Sequence, residues 1–224
     1  MKDLSSTAKL YIPGIILISF GLIVWNAMKL DWSNTWLVPL AALGAVAQTL
    51  KVEGSTNRTN YSIAWFVYGF TFIAFGAAAT MFVVLVSHLV EWLWHKYPWY
   101  IQTFNIGNHV IAVCLAGLVF TSLNLTGALA LVAANLTFVF VNHFLLAVVV
   151  KLARGQSFAE SGLFEFLTLF LDFTVLSMGA VTALIWQFNP FASVLNILPL
   201  YLLYNALRVP ALMRQLSDMK KISA

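Results

Sequence analysis

Apolar residues in this chain come in long unbroken blocks, where a soluble helix would show a stripe and a half-buried strand would alternate. A helix crossing the hydrocarbon core of a bilayer needs about 20 mostly apolar residues, within a range near 17–25. Such blocks run from Tyr11 to Met28, Trp36 to Leu50, Tyr61 to Trp94, Tyr100 to Leu123, Leu125 to Leu152, Phe158 to Phe188 and Pro190 to Leu207. The breaks between them hold turn formers: Asp31-Trp32-Ser33-Asn34, Glu53-Gly54-Ser55-Thr56-Asn57, Tyr97-Pro98 and Asn189-Pro190.

The third block sets the topology. As one straight helix it would be about 51 Å long, against a hydrocarbon core of about 30 Å. Its interruption at Gly76-Ala77-Ala78-Ala79 allows a short helix and a full one instead. With two spans here and a cytoplasmic C-terminus, Lys2, Lys9, Lys51, Arg58, Lys96, Lys151, Arg154, Arg208, Arg214, Lys220 and Lys221 share the cytoplasmic side, leaving only Lys29 outside. A single span would move Lys2, Lys9, Lys51 and Arg58 out and Lys29 in. The positive-inside rule therefore favours an all-α polytopic transmembrane bundle of eight helices, one short or re-entrant, with both termini cytoplasmic. Residues 1–210 form the membrane domain and 211–224 a cytoplasmic tail or exit helix. Trp32, Trp36, Trp92, Trp94, Trp99 and Trp186 fall near span ends, where amphipathic rings favour the interface. Three of the four outer connections are very short, which leaves no room for an extracellular binding domain.

Composition agrees. Apolar residues make up 61% of the chain and charged residues 9%, where a soluble domain carries about 25% charged. The mean hydropathy is +0.88. The net charge of +4 is spread through short connections and marks topology, so no nucleic-acid partner is expected. Cys114 is a lone thiol in an apolar run. The first block is long and lacks a small-residue cleavage site after it, so it reads as a retained span. The expected setting is the cytoplasmic (inner) membrane of a bacterium.

Ionisable groups at the middle of a membrane helix cost roughly 2.5–3.5 kcal/mol, so each one here needs a reason. His88, Glu91, His109, His143, Glu165 and Asp172 are the ionisable candidates, and Asn105, Asn108, Asn142 and Asn196 accompany them. Most lie in the cytoplasmic half and the middle of the bilayer, whereas Asn26, Gln48 and Asn135 read as scattered groups of the outer half. His88 and Glu91 stand at i, i+3; Asn105, Asn108 and His109 share a face; Glu165 and Asp172 are one stripe, seven apart. The stripes are expected to face one another in the interior. They serve either as a structural network that fixes helix register or as a pocket for a small polar or amphipathic ligand. A metal site from His88, Glu91, His109 and His143 fits by residue type but lacks supporting spacing. A bis-histidine haem between His109 and His143 is open because their depths match. The cofactor is thus left unassigned. His95 beside Lys96 reads as solvated, and Gly76 to Ala79, Gly117, Gly127 and Gly179 as close-packing positions. The sequons at Asn57, Asn124 and Asn135 read as accidental. No Walker loop, dinucleotide fingerprint or activated-serine motif is present, so no enzyme is expected.

Particular stretches carry a likeness. Tyr61-Ser62-Ile63, Ser87-His88-Leu89-Val90-Glu91-Trp92, Pro98-Trp99-Tyr100, Phe104-Asn105-Ile106-Gly107-Asn108 and Asn142-His143 give the chain the look of one family. It resembles the N-terminal membrane-associated sensor region of bacterial GGDEF/HD-type signalling proteins, especially of Chloroflexi-like bacteria. Leu198-Pro199-Leu200-Tyr201 through Arg208-Val209-Pro210-Ala211-Leu212 is similar to the exit helix leading to the output domain. Asp218-Met219-Lys220 fits the opening of such a domain, but Lys221-Ile222-Ser223-Ala224 does not continue it. The resemblance implies a sensory or ligand-binding module in the lipid bilayer, with a small-molecule ligand and a protein partner or output domain at the cytoplasmic face. The alternatives are a small-molecule transporter or substrate-capture subunit like the S-components of vitamin importers, and a non-catalytic scaffold subunit.

Overall fold

The structure, a computed structural model, describes residues 4–53, 60–122 and 127–223. It is a helical bundle. Helix α1 (Ser6–Ala27) and the short α2 (Leu37–Thr49) lead into a minimal antiparallel ladder, β1 (Val52–Glu53) against β2 (Asn60–Tyr61). Then follow α3 (Ala64–His95), α4 (Trp99–Ser122), α5 (Ala128–Arg154), α6 (Phe166–Phe188), the single turn α7 (Pro190–Ser193), a 3-10 turn (Val194–Asn196) and α8 (Ile197–Ser223). Among the described residues, six helical segments are long and apolar enough to cross a membrane: α1, α3, α4, α5, α6 and Pro190–Val209.

Helix α3 is broken as the sequence allows. Gly76 has φ +82° and ψ 179°, a region that essentially only glycine occupies, and it divides α3 into limbs 64–75 and 77–95. The limbs lie side by side. In one straight helix Tyr68 and Glu91 would be about 35 Å apart. Here both reach the Gln48 amide, with Tyr68 Oη 3.5 Å from Oε1 and Glu91 Oε2 3.0 Å from Nε2. Gly44 on α2 faces both limbs, since a Cβ there would meet Val83 and Ser87 of one and Val67 of the other. The limb 64–75 crosses α6 at backbone contact. A Cβ on Gly69 would stand 2.1 Å from Leu176 O, and one on Gly179 1.9 Å from Phe66 O.

Three expectations change. The block from Phe158 is not helical at its start; α6 begins at Phe166, because Gly155 (φ +69°) caps α5 and Gly162 (φ +70°) turns the chain before α6. Gly127 serves the backbone, at φ +56° with open space around its Cα, and Gly76 likewise makes a turn and no close contact. Gly179 packs as expected. At Asn189 the chain reverses: the Asn189 side chain accepts from the amides of Phe191 and Ala192, and Pro190 needs no amide partner. Asn196 then donates to Thr182 Oγ1 at 3.1 Å, seating the last segment beside α6.

The bundle has two distinct ends. At one, Trp32 packs on Phe82, and Trp36, Phe70 and Phe75 surround Trp186. In the same region Asp31 accepts from the Ser33 hydroxyl and amide, which hold its carboxyl below the usual range. At the other end Ser5 Oγ donates to Leu152 O, Lys51 pairs with Glu91, and α8 returns to touch β1. Between them lies a dry core of Val83, Val84, Val110, Val113, Phe138, Val139, Val175 and Leu176. Polarity is inverted relative to a water-soluble domain: Glu91, Gln102 and Asn108 are buried, while Leu17, Leu93 and Phe170 are exposed. Such a surface is at rest only against hydrocarbon.

Candidate functional site

Two polar clusters meet at the Ser5–Lys51 end of the bundle. The first surrounds Glu91, fully buried on the limb 77–95. Its Oε2 accepts from Gln48 Nε2 (3.0 Å), Gln102 Nε2 (3.1 Å) and His88 Nδ1 (3.1 Å), and Lys51 pairs with Oε1. Ser62 Oγ donates to Gln48 Oε1 at 3.0 Å and accepts from the Ala64 amide, fixing the entry to α3. Just beyond α3, burial and then the Glu91 charge push the Tyr97 phenol up from its ordinary value.

The second cluster joins α4, α5 and α6. His143 Nε2 lies 2.8 Å from Asp172 Oδ2, and Asn108 Nδ2 donates to Asn142 O at 3.1 Å. His109 Nδ1 bonds its own helix at Asn105 O (2.9 Å), and its ring stands 4.7 Å from that of His88. Trp65, from the limb 64–75, contacts the rings of both His109 (5.9 Å) and His143 (6.2 Å). Asn-to-carbonyl and His-to-carboxylate bonds of this kind replace the water that the membrane denies these groups.

A cavity of about 210 Å³ opens between the clusters. It is bordered by Lys51, Asn60, Trp65 and Leu163 and by polar side chains from α2, α3, α4, α5 and α6. Five polar atoms on residues that border it have no hydrogen-bond partner among the described residues: His88 Nε2, Asn108 Oδ1, Asn142 Nδ2, His143 Nδ1 and Thr168 Oγ1. The side chains that carry them are 2–4% exposed. Buried polar atoms normally have partners, so five on residues around one cavity leave hydrogen-bonding capacity unused in this part of the bundle. The cavity volume is below the ~300–1,000 Å³ typical of sites for drug-sized ligands.

Of the ten candidate residues, the structure brings eight together: His88, Glu91, Asn105, Asn108, His109, Asn142, His143 and Asp172. Glu165 and Asn196 do not join them. Glu165 is exposed at the start of α6, where the turn through Gly162 carries it away from the stripe of Asp172. Asn196 lies past the chain reversal and is spent on Thr182. Gln48 was expected in the outer half but belongs to the Glu91 cluster, because α2 ends beside the buried end of the limb 77–95. Among the remaining polar groups, Asn135 donates to Ser177 and Asn26 to Leu22 O and Cys114 Sγ. His95 is exposed and stacks on Tyr97.

Lys51, Ser62, Trp65, Gln102 and Thr168 border the site or support it without having been singled out. Gln102 stands three positions before Asn105, so the α4 stripe could have been extended to include it. Lys51 reads as a topology marker until the fold shows its partner. Among the described residues no three His, Cys, Asp or Glu side chains converge as metal ligands. The Trp65 indole packs on both imidazoles, and His109 Nδ1 and His143 Nε2 are each held by a protein acceptor. The sequons at Asn57 and Asn124 lie outside the described residues, and Asn135 is buried in α5. Comparison of the chain with protein-family models, with curated proteins and with solved structures finds no match.

Proposed function

We propose that this chain is a multi-pass protein of the bacterial inner membrane that binds a small polar molecule between its helices and relays occupancy to the cytoplasmic face. The reading rests on the five unpartnered polar atoms carried by residues that border the cavity. A purely structural network would be expected to satisfy its members internally. These atoms come from the limb 77–95 and from α4, α5 and α6, so one bound molecule would tie four segments together. At about 30 Å³ per water, the cavity volume corresponds to roughly seven waters or one small metabolite.

The topology proposed with it has eight membrane-inserted segments, of which α2 and the limb 64–75 are half-length. At about 20 Å and 18 Å they are too short to cross alone. Protein covers them, with α2 against both limbs of α3 and the limb 64–75 against α6. Both termini and the site then face the cytoplasm. Helix α8 touches β1, which adjoins Lys51, so a shift of the Lys51–Glu91 pair has a short path to the exit helix. That contact, together with the likeness to sensor regions, favours a relay to an output domain or partner. Transport would need a route onward, and the dry core from Val83 to Leu176 blocks the way to the Trp186 end.

High-resolution density of the protein in nanodiscs tests the reading. The expected outcome is a non-protein molecule bonded to at least two of the five atoms. Well-ordered waters alone, in wild type purified from cells, would reduce the site to a hydrated structural network.

A further inference from the structure

Three histidines border the cavity, and each has one ring nitrogen committed to an acceptor. His88 Nδ1 faces Glu91 Oε2, part of a carboxylate held by Lys51, so that nitrogen carries the proton. Gln102 Nε2 also passes 3.3 Å from it, but the amide protons go to His88 O (2.7 Å) and Glu91 Oε2 (3.1 Å). His109 Nδ1 faces the carbonyl of Asn105, which can only accept, and His143 Nε2 faces Asp172 Oδ2. With these assignments His88 Nε2, His109 Nε2 and His143 Nδ1 are left as lone pairs. Asn108 Oδ1 is a fourth acceptor, against which the unpartnered donors are Asn142 Nδ2 and the Thr168 hydroxyl. Among the atoms left without a partner, acceptors outnumber donors.

The charge around the cavity is unbalanced in the same sense. Lys51 and Glu91 compensate each other. Asp172, 7% exposed, has no Lys or Arg partner among the described residues and leans on His143 alone. An ionised carboxylate in such a place calls for a positive charge. Trp65 adds an indole to the wall, and aromatic faces attract cations.

We propose, building on the pocket reading above, that the ligand is a small organic cation rich in N–H donors, an amine or a diamine, with Asp172 as its counter-ion. The imidazole lone pairs accept its N–H groups, and the Thr168 hydroxyl and Asn142 amide orient the rest.

Three probes of matched three-carbon skeleton test the charge and donor requirement: 1,3-diaminopropane, malonate and malonamide. Their binding is measured by equilibrium dialysis on the full chain in nanodiscs, together with the shift each causes in thermal unfolding. The diamine is expected to bind and stabilise, and malonate to do neither. Asp172→Asn should weaken the diamine by about thirtyfold or more, the effect of removing one partner of a buried charge pair, while Asp172→Glu retains binding. Should Asp172→Asn fail to fold, the rank order on wild type decides. If malonate or malonamide binds as tightly as the diamine and Thr168→Leu abolishes it, the cation assignment is overturned while the pocket survives. Absence of binding by all three overturns the pocket reading as well.

Discussion

Glu91 accepts three hydrogen bonds on one oxygen and a lysine on the other, at zero exposure. The two halves of the ion pair are not equivalent. Lys51 is 24% exposed and can turn toward water, whereas the carboxylate has nowhere to go. Lys51→Met should therefore be the costlier change, about 3 kcal/mol, the low end for removing one partner of a buried pair, because it strands a buried charge. Glu91→Gln keeps one oxygen for Gln48, Gln102 and His88 and should cost about 1–2 kcal/mol, the scale of imperfectly matched hydrogen bonds. The double variant should be more stable than Lys51→Met alone. Denaturation titrations in bicelles read all three, and a Glu91→Gln cost above that of Lys51→Met would mean that the carboxylate is not what the cluster is arranged to compensate. The i, i+3 spacing made His88 and Glu91 legible as a pair. Their partners Gln48, Gln102 and Lys51 were not, because two amides and a boundary lysine gain their meaning only when α2 and α4 are brought alongside α3.

Between elements, glycine decides how closely helices meet, and its two uses make different predictions. Gly69 and Gly179 place the limb 64–75 against α6 so closely that an added methyl would enter backbone carbonyls, which cannot swing aside. Gly179→Ala should thus cost about 3 kcal/mol, the upper range of overpacking, and Gly69→Ala a similar amount. Gly14, with open space around it in α1, is the control and should tolerate alanine. Unfolding by steric trapping compares them, and equal stability of Gly179→Ala and Gly14→Ala would refute the crossing. The sequence marked Gly179 as a packing position but credited the same role to Gly76 and Gly127. Composition does not separate the two uses, since a glycine needed for positive φ and one needed for contact are the same letter. The start of α6 was misplaced for a related reason: Phe158, Ala159, Leu163 and Phe164 extend the apolar block across Glu160, Ser161 and Gly162, and the turn through Gly162 keeps that stretch out of the helix.

At the scale of the whole molecule, lipid as solvent could be read directly, because a chain with 61% apolar residues leaves no choice about what surrounds it. The arrangement of its ends follows from packing. Ser5 bonded to Leu152, Lys51 to Glu91, and α8 against β1 put three connections and the return of the last helix at one end. Asp31, Gly76 and Asn189 turn the chain near the other, where Trp32 and Trp186 sit. Because Cys114 is the one cysteine, its replacement by serine gives a background in which single cysteines report sidedness. Introduced at Ser33 and at Phe191, they should react with a membrane-impermeant maleimide in intact cells. At Gln156 and Lys96 they should react only after permeabilisation. The result that matters most is the opposition of Ser33 and Lys96: with Gly76 as a true reversal, α2 and the two limbs of α3 make three passes between them, and the two positions face opposite sides. Labelling of Ser33 and Lys96 from the same side would mean that α2 and the two limbs of α3 do not form the paired unit that brings Glu91 to Gln48, and the site beneath them would lose its cytoplasmic mouth.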